Sequence, residues 1–86
     1  MNTLTIEASA TKVWFDKYYM WIALKDGRQL SVPIEYFPRL LKANEEQRKK
    51  YILSGNGTGI HWEELDEDIS VAGLLMGKRD MTHFRN

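Results

Sequence analysis

The chain has no cysteine among its 86 residues. That absence excludes a disulfide framework, a thiolate zinc site and a cysteine nucleophile together. Histidine is scarce, with only His61 and His83, so imidazole chemistry has few starting points. No apolar run approaches the roughly 18 residues of a membrane-spanning helix, and no secretory leader pattern is visible. A cytoplasmic protein without membrane contact is expected. Net charge is missing as well: twelve basic side chains cancel twelve acidic ones, so no overall field draws the protein to nucleic acid.

What remains is an ordinary globular composition in a chain long enough for one domain. A domain this small buries only about two-thirds of the surface its unfolded form exposes, which leaves few residues for an internal active site. The domain is expected over 1–77. The last stretch, 78–86, has little to bury and is expected to be a flexible tail. Charge is segregated along the chain. Arg39, Lys42, Arg48, Lys49 and Lys50 outweigh Glu45 and Glu46, whereas Glu63 to Asp68 carries acidic charge alone.

Lys12 to Val32 reads as β structure. Val13-Trp14-Phe15 meets a polar turn at Asp16-Lys17, and Tyr18 to Lys25 is rich in aromatic and aliphatic residues. Asp26-Gly27 is the strongest turn signal. A two-residue turn there would set Leu24 against Gln29 and Ile22 against Ser31. A three-residue loop, with Gly27 left-handed in a bulge, instead sets Ile22 against Leu30 and Met20 against Val32. The bulged hairpin gathers the aliphatic side chains on one face and is preferred. Its other face carries Tyr19, Trp21, Ala23, Gln29 and Ser31.

Pro33 ends the strand, and a short helical turn is expected over Ile34 to Phe37. A second segment follows over Arg39 to Ala43, with Leu40 and Leu41 inward. Asn44 to Gln47 has the form of a capping box, opening a helix over about Glu45 to Leu53. Ser54 to Gly57 breaks it. Ile60 and Trp62 suggest a short strand near 58–62, and Ile69, Ala72, Leu74 and Leu75 a final helix closed by Gly77. The fold expected is α+β: a small antiparallel sheet, made of the hairpin 12–32 and that strand, packed on short helices.

Chemical motifs are weak. His61 and Glu63 form H-x-E, but the deaminase site of that pattern also needs paired cysteines. Zincin spacing is absent. Crowded but exposed carboxylates lack the burial that raises an acid catalyst's pKa, and Ser54 and Ser70 have no evident base. The glycines around Thr58 lack the lysine of a phosphate loop. No enzyme, cofactor or metal is expected. Arg48-Lys49-Lys50 reads first as a solvated helical face. The acidic run reads first as a helix start, with Asp66 and Asp68 beside free amides and Asp68 or Ser70 as the cap. Neither Glu63 nor Glu64 is needed for that. Trp62 reads as core, and His61 as its hydrogen-bonded neighbour.

The order of motifs resembles the small bacterial family DUF2442. It runs Val13…Asp26-Gly27-Arg28…Val32-Pro33-Ile34…Phe37-Pro38-Arg39-Leu40, then Glu46-Gln47-Arg48, then Gly59-Ile60-His61-Trp62…Leu65-Asp66-Glu67-Asp68-Ile69-Ser70-Val71…Leu74-Leu75. It covers about Lys12 to Gly77. The resemblance implies a compact α+β domain without established catalytic residues. It also implies a neighbouring small protein as partner, since members have been proposed as antitoxin-like. Some members carry a C-terminal helix-turn-helix, and DNA binding by such a segment is not expected here.

The function expected is therefore a non-enzymatic protein-interaction module, antitoxin-like, that binds a small partner protein. Tyr19 and Trp21 would be its hydrophobic anchors, with Glu63, Glu64, Asp66 and Glu67 meeting a basic partner surface. Gly27, Pro33, His61, Trp62 and Asp68 are expected to serve the fold. The alternative is a nucleic-acid-binding regulator using Arg48, Lys49, Lys50, Lys78 and Arg79. A metal-dependent hydrolase at His61 and Glu63 is the weakest. A homodimer through an exposed sheet edge is compatible with so small a domain.

Overall fold

A computed structural model of the chain describes residues 8–77. The expected tail, with Lys78, Arg79 and His83, lies outside the described residues. The architecture is α+β, but it is built on two sheets. Three strands, β1 (Ala10–Phe15), β2 (Tyr19–Leu24) and β3 (Gln29–Pro33), form the first in the order β1-β2-β3. A 3-10 turn at Ile34–Tyr36 and two short helices, α1 (Pro38–Lys42) and α2 (Glu45–Lys49), lead to the second. That sheet has the order β4-β5-β6, with β4 at Ile52–Ser54, β5 at Gly59–Trp62 and β6 at Glu67–Ser70. Helix α3 (Val71–Leu75) follows β6 directly. Both sheets are antiparallel throughout.

The β2–β3 hairpin has the bulged register. Met20 faces Val32 and Ile22 faces Leu30. Leu24 N–H donates to the Arg28 carbonyl at 2.8 Å, and Gly27 adopts φ 98°, which only glycine accepts without strain. The aliphatic face turns inward. Met20 and Ile22 are wholly buried, and they join Ile60, Trp62 and Ile69 of the other sheet in one core. Phe15 meets Trp62 edge-on at 6.4 Å between ring centroids. The sheets thus pack through their inward faces.

Several expected elements differ. Helix α2 stops at Lys49, not near Leu53, because Ile52 and Leu53 pair with His61 and Ile60. Between them Tyr51 turns its ring toward Trp62 and accepts the Val13 N–H on its hydroxyl at 3.1 Å. The capping box is present in both directions: Gln47 N–H donates to Asn44 Oδ1 at 2.8 Å, and Asn44 N–H to Gln47 Oε1 at 2.9 Å. Helix α1 buries Leu40 completely but leaves Leu41 51% exposed, correcting the expectation that both point inward. Successive side chains on a helix diverge by about 100°, and the core lies on the Leu40 side of α1.

The acidic run does not cap a helix. Glu67 to Ser70 is a strand, and Ser70 alone caps α3, its Oγ accepting the Gly73 N–H at 3.1 Å. Asp66 sits in the preceding turn with φ 54°. Gly57 has a different task. A Cβ there would collide with the Ala10 backbone, so glycine lets the β4–β5 connection lie against the start of β1.

Replacing Leu40 and Leu41 one at a time separates core from surface. Leu40→Ala is expected to cost about 2–5 kcal/mol in urea unfolding, and Leu41→Ala to stay within about 0.5 kcal/mol.

Candidate interaction surface

The short β1–β2 connection builds an aromatic surface from a single carboxylate. Asp16 Oδ1 accepts the backbone N–H groups of Tyr18 at 2.9 Å and Tyr19 at 2.7 Å. Its Oδ2 accepts the Trp21 indole N–H at 2.8 Å. These three donors, the indole foremost and then the Tyr19 and Tyr18 amides, hold the Asp16 carboxyl below its ordinary 3.8. The bond to Trp21 lays its ring along the outward face of the first sheet. There it stacks on Trp14, its partner across β1, at 6.1 Å and 10°. Lys12 Nζ stands 5.4 Å from the Trp14 ring and Lys17 Nζ 5.6 Å from that of Tyr18.

Beside this stack the surface becomes openly apolar. Tyr18 is 66% exposed and Tyr19 41%. With Leu41, Pro33 and Glu35 they line a shallow cavity of about 290 Å³. Tyr19 and Trp21 thus share the outward face of β2. Trp14, Tyr18 and Leu41, which local sequence signals do not single out, lie on the same side of the molecule. Trp14 becomes visible only with the register that pairs it with Trp21, and Leu41 only with the orientation of α1.

The acidic segment lies elsewhere. His61 alternates with the buried Ile60 and Trp62 along β5, so it faces outward from the second sheet, with the core between it and Trp21. Its Nδ1 is 2.7 Å from Asp68 Oδ1 and its Nε2 2.8 Å from Glu63 Oε1. A neutral imidazole has one N–H and can donate to only one carboxylate, so both bonds require the imidazolium. The hydrogen bond to Glu63, then that to Asp68, raises the His61 pKa above its ordinary 6.5. With both nitrogens committed, His61 offers no lone pair to a metal. Among the described residues no three His, Asp or Glu converge to hold one.

Glu64 and Glu67 are also engaged with their own chain. Glu64 accepts from Gln47 Nε2 at 3.1 Å and lies 3.8 Å from Lys50 Nζ. Asp66 contributes its backbone carbonyl, which accepts from Arg39 Nη1 at 2.9 Å. Glu67 points inward from β6, 4% exposed and 3.9 Å from Arg39 Nη1, which removes it from any contact surface. The expected grouping of Tyr19 and Trp21 with Glu63, Glu64, Asp66 and Glu67 is thus corrected. Strand alternation sends Glu67 into the core, while Glu63, Glu64 and Asp66 lie in the turn between β5 and β6, away from Trp21.

The basic residues are divided too. Arg48 donates from Nε to the Leu40 carbonyl at 2.8 Å and from Nη2 to that of Leu41 at 3.1 Å, closing the end of α1. Its guanidinium stands 5.4 Å from the Phe15 ring. Lys50 faces Glu64, and Lys49 remains at the surface.

Residues 10–80 match the model of the family described as Protein of unknown function (DUF2442). The fold is similar to the crystal structure of a protein of unknown function from Rhodospirillum rubrum. That chain is 28% identical with a TM-score of 0.78, and the match covers 92% of this chain and 98% of the other. It is also similar to the solution structure of an uncharacterized protein from Chromobacterium violaceum. There the identity is 26% and the TM-score 0.73, over 88% of this chain and 75% of the other. Comparison with curated proteins gives no match.

The His61 arrangement makes stability depend on pH. Because its folded pKa is raised, its contribution is fully present below the unfolded 6.5 and is lost as pH rises through the higher folded value. Urea midpoints are expected to fall across that window in the native chain and to fall less in His61→Gln. An NMR titration of the imidazole is expected to give a midpoint above 6.5.

Proposed function

The chain belongs to the DUF2442 family of proteins of unknown function, and on that premise we propose that it is a non-enzymatic protein-interaction module. Its docking face is the aromatic side of the first sheet, with Tyr18, Tyr19 and Leu41 as anchors beside the Trp14–Trp21 stack. The observation that carries this reading is the exposure of three large apolar side chains around one shallow cavity, on a backbone turn fixed by Asp16. Aromatic side chains on a rigid support lose little conformational freedom on binding, and such residues dominate interface energies. An enzyme finds less support. The carboxylates and histidine that would do chemistry are occupied with one another or with the chain's own cations.

In its finer form, the partner is a small toxin-like protein encoded nearby, and this chain neutralises it by binding. That form rests on the family resemblance. Nucleic acid is the second reading, favoured by Lys12 and Lys17 over the rings of Trp14 and Tyr18. The engagement of Arg48 and Lys50 within the fold weakens it.

Pull-down of the neighbouring gene's product by the tagged full chain tests the first reading. The double variant Tyr19→Ala/Leu41→Ala is expected to lose about 2 kcal/mol of affinity, roughly thirtyfold. The Glu63→Lys/Glu64→Lys variant is expected to bind as the native chain does. Undiminished binding by the Tyr19/Leu41 variant would remove this face from the interface.

A further inference from the structure

The outer edge of β1 has no role in the docking face described above. At the turn, Asp16 N–H donates to the Tyr19 carbonyl at 2.9 Å, and the register runs on through Phe15↔Met20, Trp14↔Trp21 and Val13↔Ile22. Antiparallel pairs alternate between residues that exchange backbone bonds and residues that do not. Trp14 therefore bonds to Trp21, while the backbone groups of Val13 and Phe15 point away from β2. The Val13 N–H shows this directly, since it donates sideways to the Tyr51 hydroxyl. β1 ends its sheet, and among the described residues no strand pairs with its other side. The Val13 carbonyl and both backbone groups of Phe15 consequently face a groove of about 520 Å³ between β1 and α2. An edge of unpaired N–H and C=O groups is a template for another strand.

The groove's side chains select what kind of strand. Phe15 and Tyr51 form an apolar floor, and Lys17, Arg48 and Lys49 surround it against Glu45 and Asp16. Asp16 is already satisfied by three donors of its own chain. Arg48 is held in place by two carbonyls, so its charge stands over Phe15 without having to be ordered on binding. We propose that this groove takes an extended acidic segment of a partner protein, added as a fourth strand beside β1. The inference rests on the reading of this chain as a protein-interaction module, but not on Tyr19 or Leu41. A second copy of the chain fits poorly, because pairing β1 with β1 would bring Lys17, Arg48 and Lys49 of both copies together. A nucleic-acid backbone would answer the cations and the Phe15 N–H, but its phosphate oxygens only accept and would leave the Val13 and Phe15 carbonyls unpaired. A polypeptide supplies both donors and acceptors.

The test uses the isotope-labelled full chain and a blocked peptide of alternating threonine and glutamate, about eight residues long, the reach of an ordinary strand. Saturable NMR shifts are expected at Val13 to Asp16 and at Arg48 and Lys49. At roughly ten times the Kd, exchange of the Phe15 amide is expected to slow about tenfold, since only the free fraction exchanges. Lys17→Glu/Lys49→Glu alters two exposed side chains and is expected to weaken the peptide about tenfold while leaving the circular dichroism unchanged. Strand addition is overturned by any of four results: no saturable binding, equal binding of a threonine–lysine peptide, shifts confined to Tyr19 and Trp21, or stronger protection of Phe15 by oligothymidylate. If the peptide fails while the partner is still captured through Tyr19 and Leu41, the module reading survives and strand addition does not. If the peptide binds and that capture fails, the reverse holds.

Discussion

Trp62 is the joint on which the two sheets close. Its ring is buried from β5, meets Phe15 of β1 edge-on and packs beside Tyr51. A buried indole N–H must find an acceptor, and here it donates to the Arg48 carbonyl at the end of α2 at 3.0 Å. That bond places α2 over the core. The Arg48 side chain then reaches back to the last carbonyls of α1. One aromatic residue thus sets the position of two helices too short to be stable alone. It also sets the angle at which Leu41 emerges beside Tyr19.

The consequence for the surface is a matter of supply. The chain has ten aromatic residues, nine of them among the described residues, with Phe84 outside them. Phe37 and Trp62 are buried and Phe15, Tyr36 and Tyr51 pack against the core, which suffices for a domain of this size. Trp14, Trp21, Tyr18 and Tyr19 are left on one outward face. Asp16 prevents that face from being merely loose, since it binds the turn backbone and one indole together. The result is a rigid, partly apolar platform beside an open strand edge. Opposite it, the second sheet shows solvent a histidine clasped by two carboxylates.

The hairpin was legible because several local rules agreed. Asp26-Gly27 asked for a turn, and only the bulged register put Met20, Ile22, Leu30 and Val32 on one face. Asn44 to Gln47 was legible for the same reason: a capping box is made by residues three apart and needs nothing from the rest of the chain. The acidic run misled because its carboxylates could complement a helix dipole, and because a glutamate at an inward strand position hides the period-2 pattern. Glu67 and Ile69 inward with Asp68 and Ser70 outward is an ordinary strand alternation whose first inward residue happens to be charged. It lies beside Arg39, far away in the chain, so no local signal announces its burial. Gly59 to Trp62 raised the same difficulty in milder form. Its strand was visible, but the flanking strands that make it the centre of a second sheet were not.

By itself, the sequence determined the bulged hairpin, the Asn44 cap, the α+β class and the exclusion of cysteine chemistry. Each of these follows from residues close together or from composition. Tertiary structure alone decided which aromatics would be core and which surface, since Trp14, Trp21 and Trp62 are chemically alike and differ only in what faces them. It also decided that the acidic segment would be split: strand alternation turns Glu67 inward beside Arg39, His61 holds Glu63 and Asp68, and Glu64 meets Gln47 and Lys50. Long-range pairing, unlike a turn or a cap, depends on partners that no short stretch of chain contains.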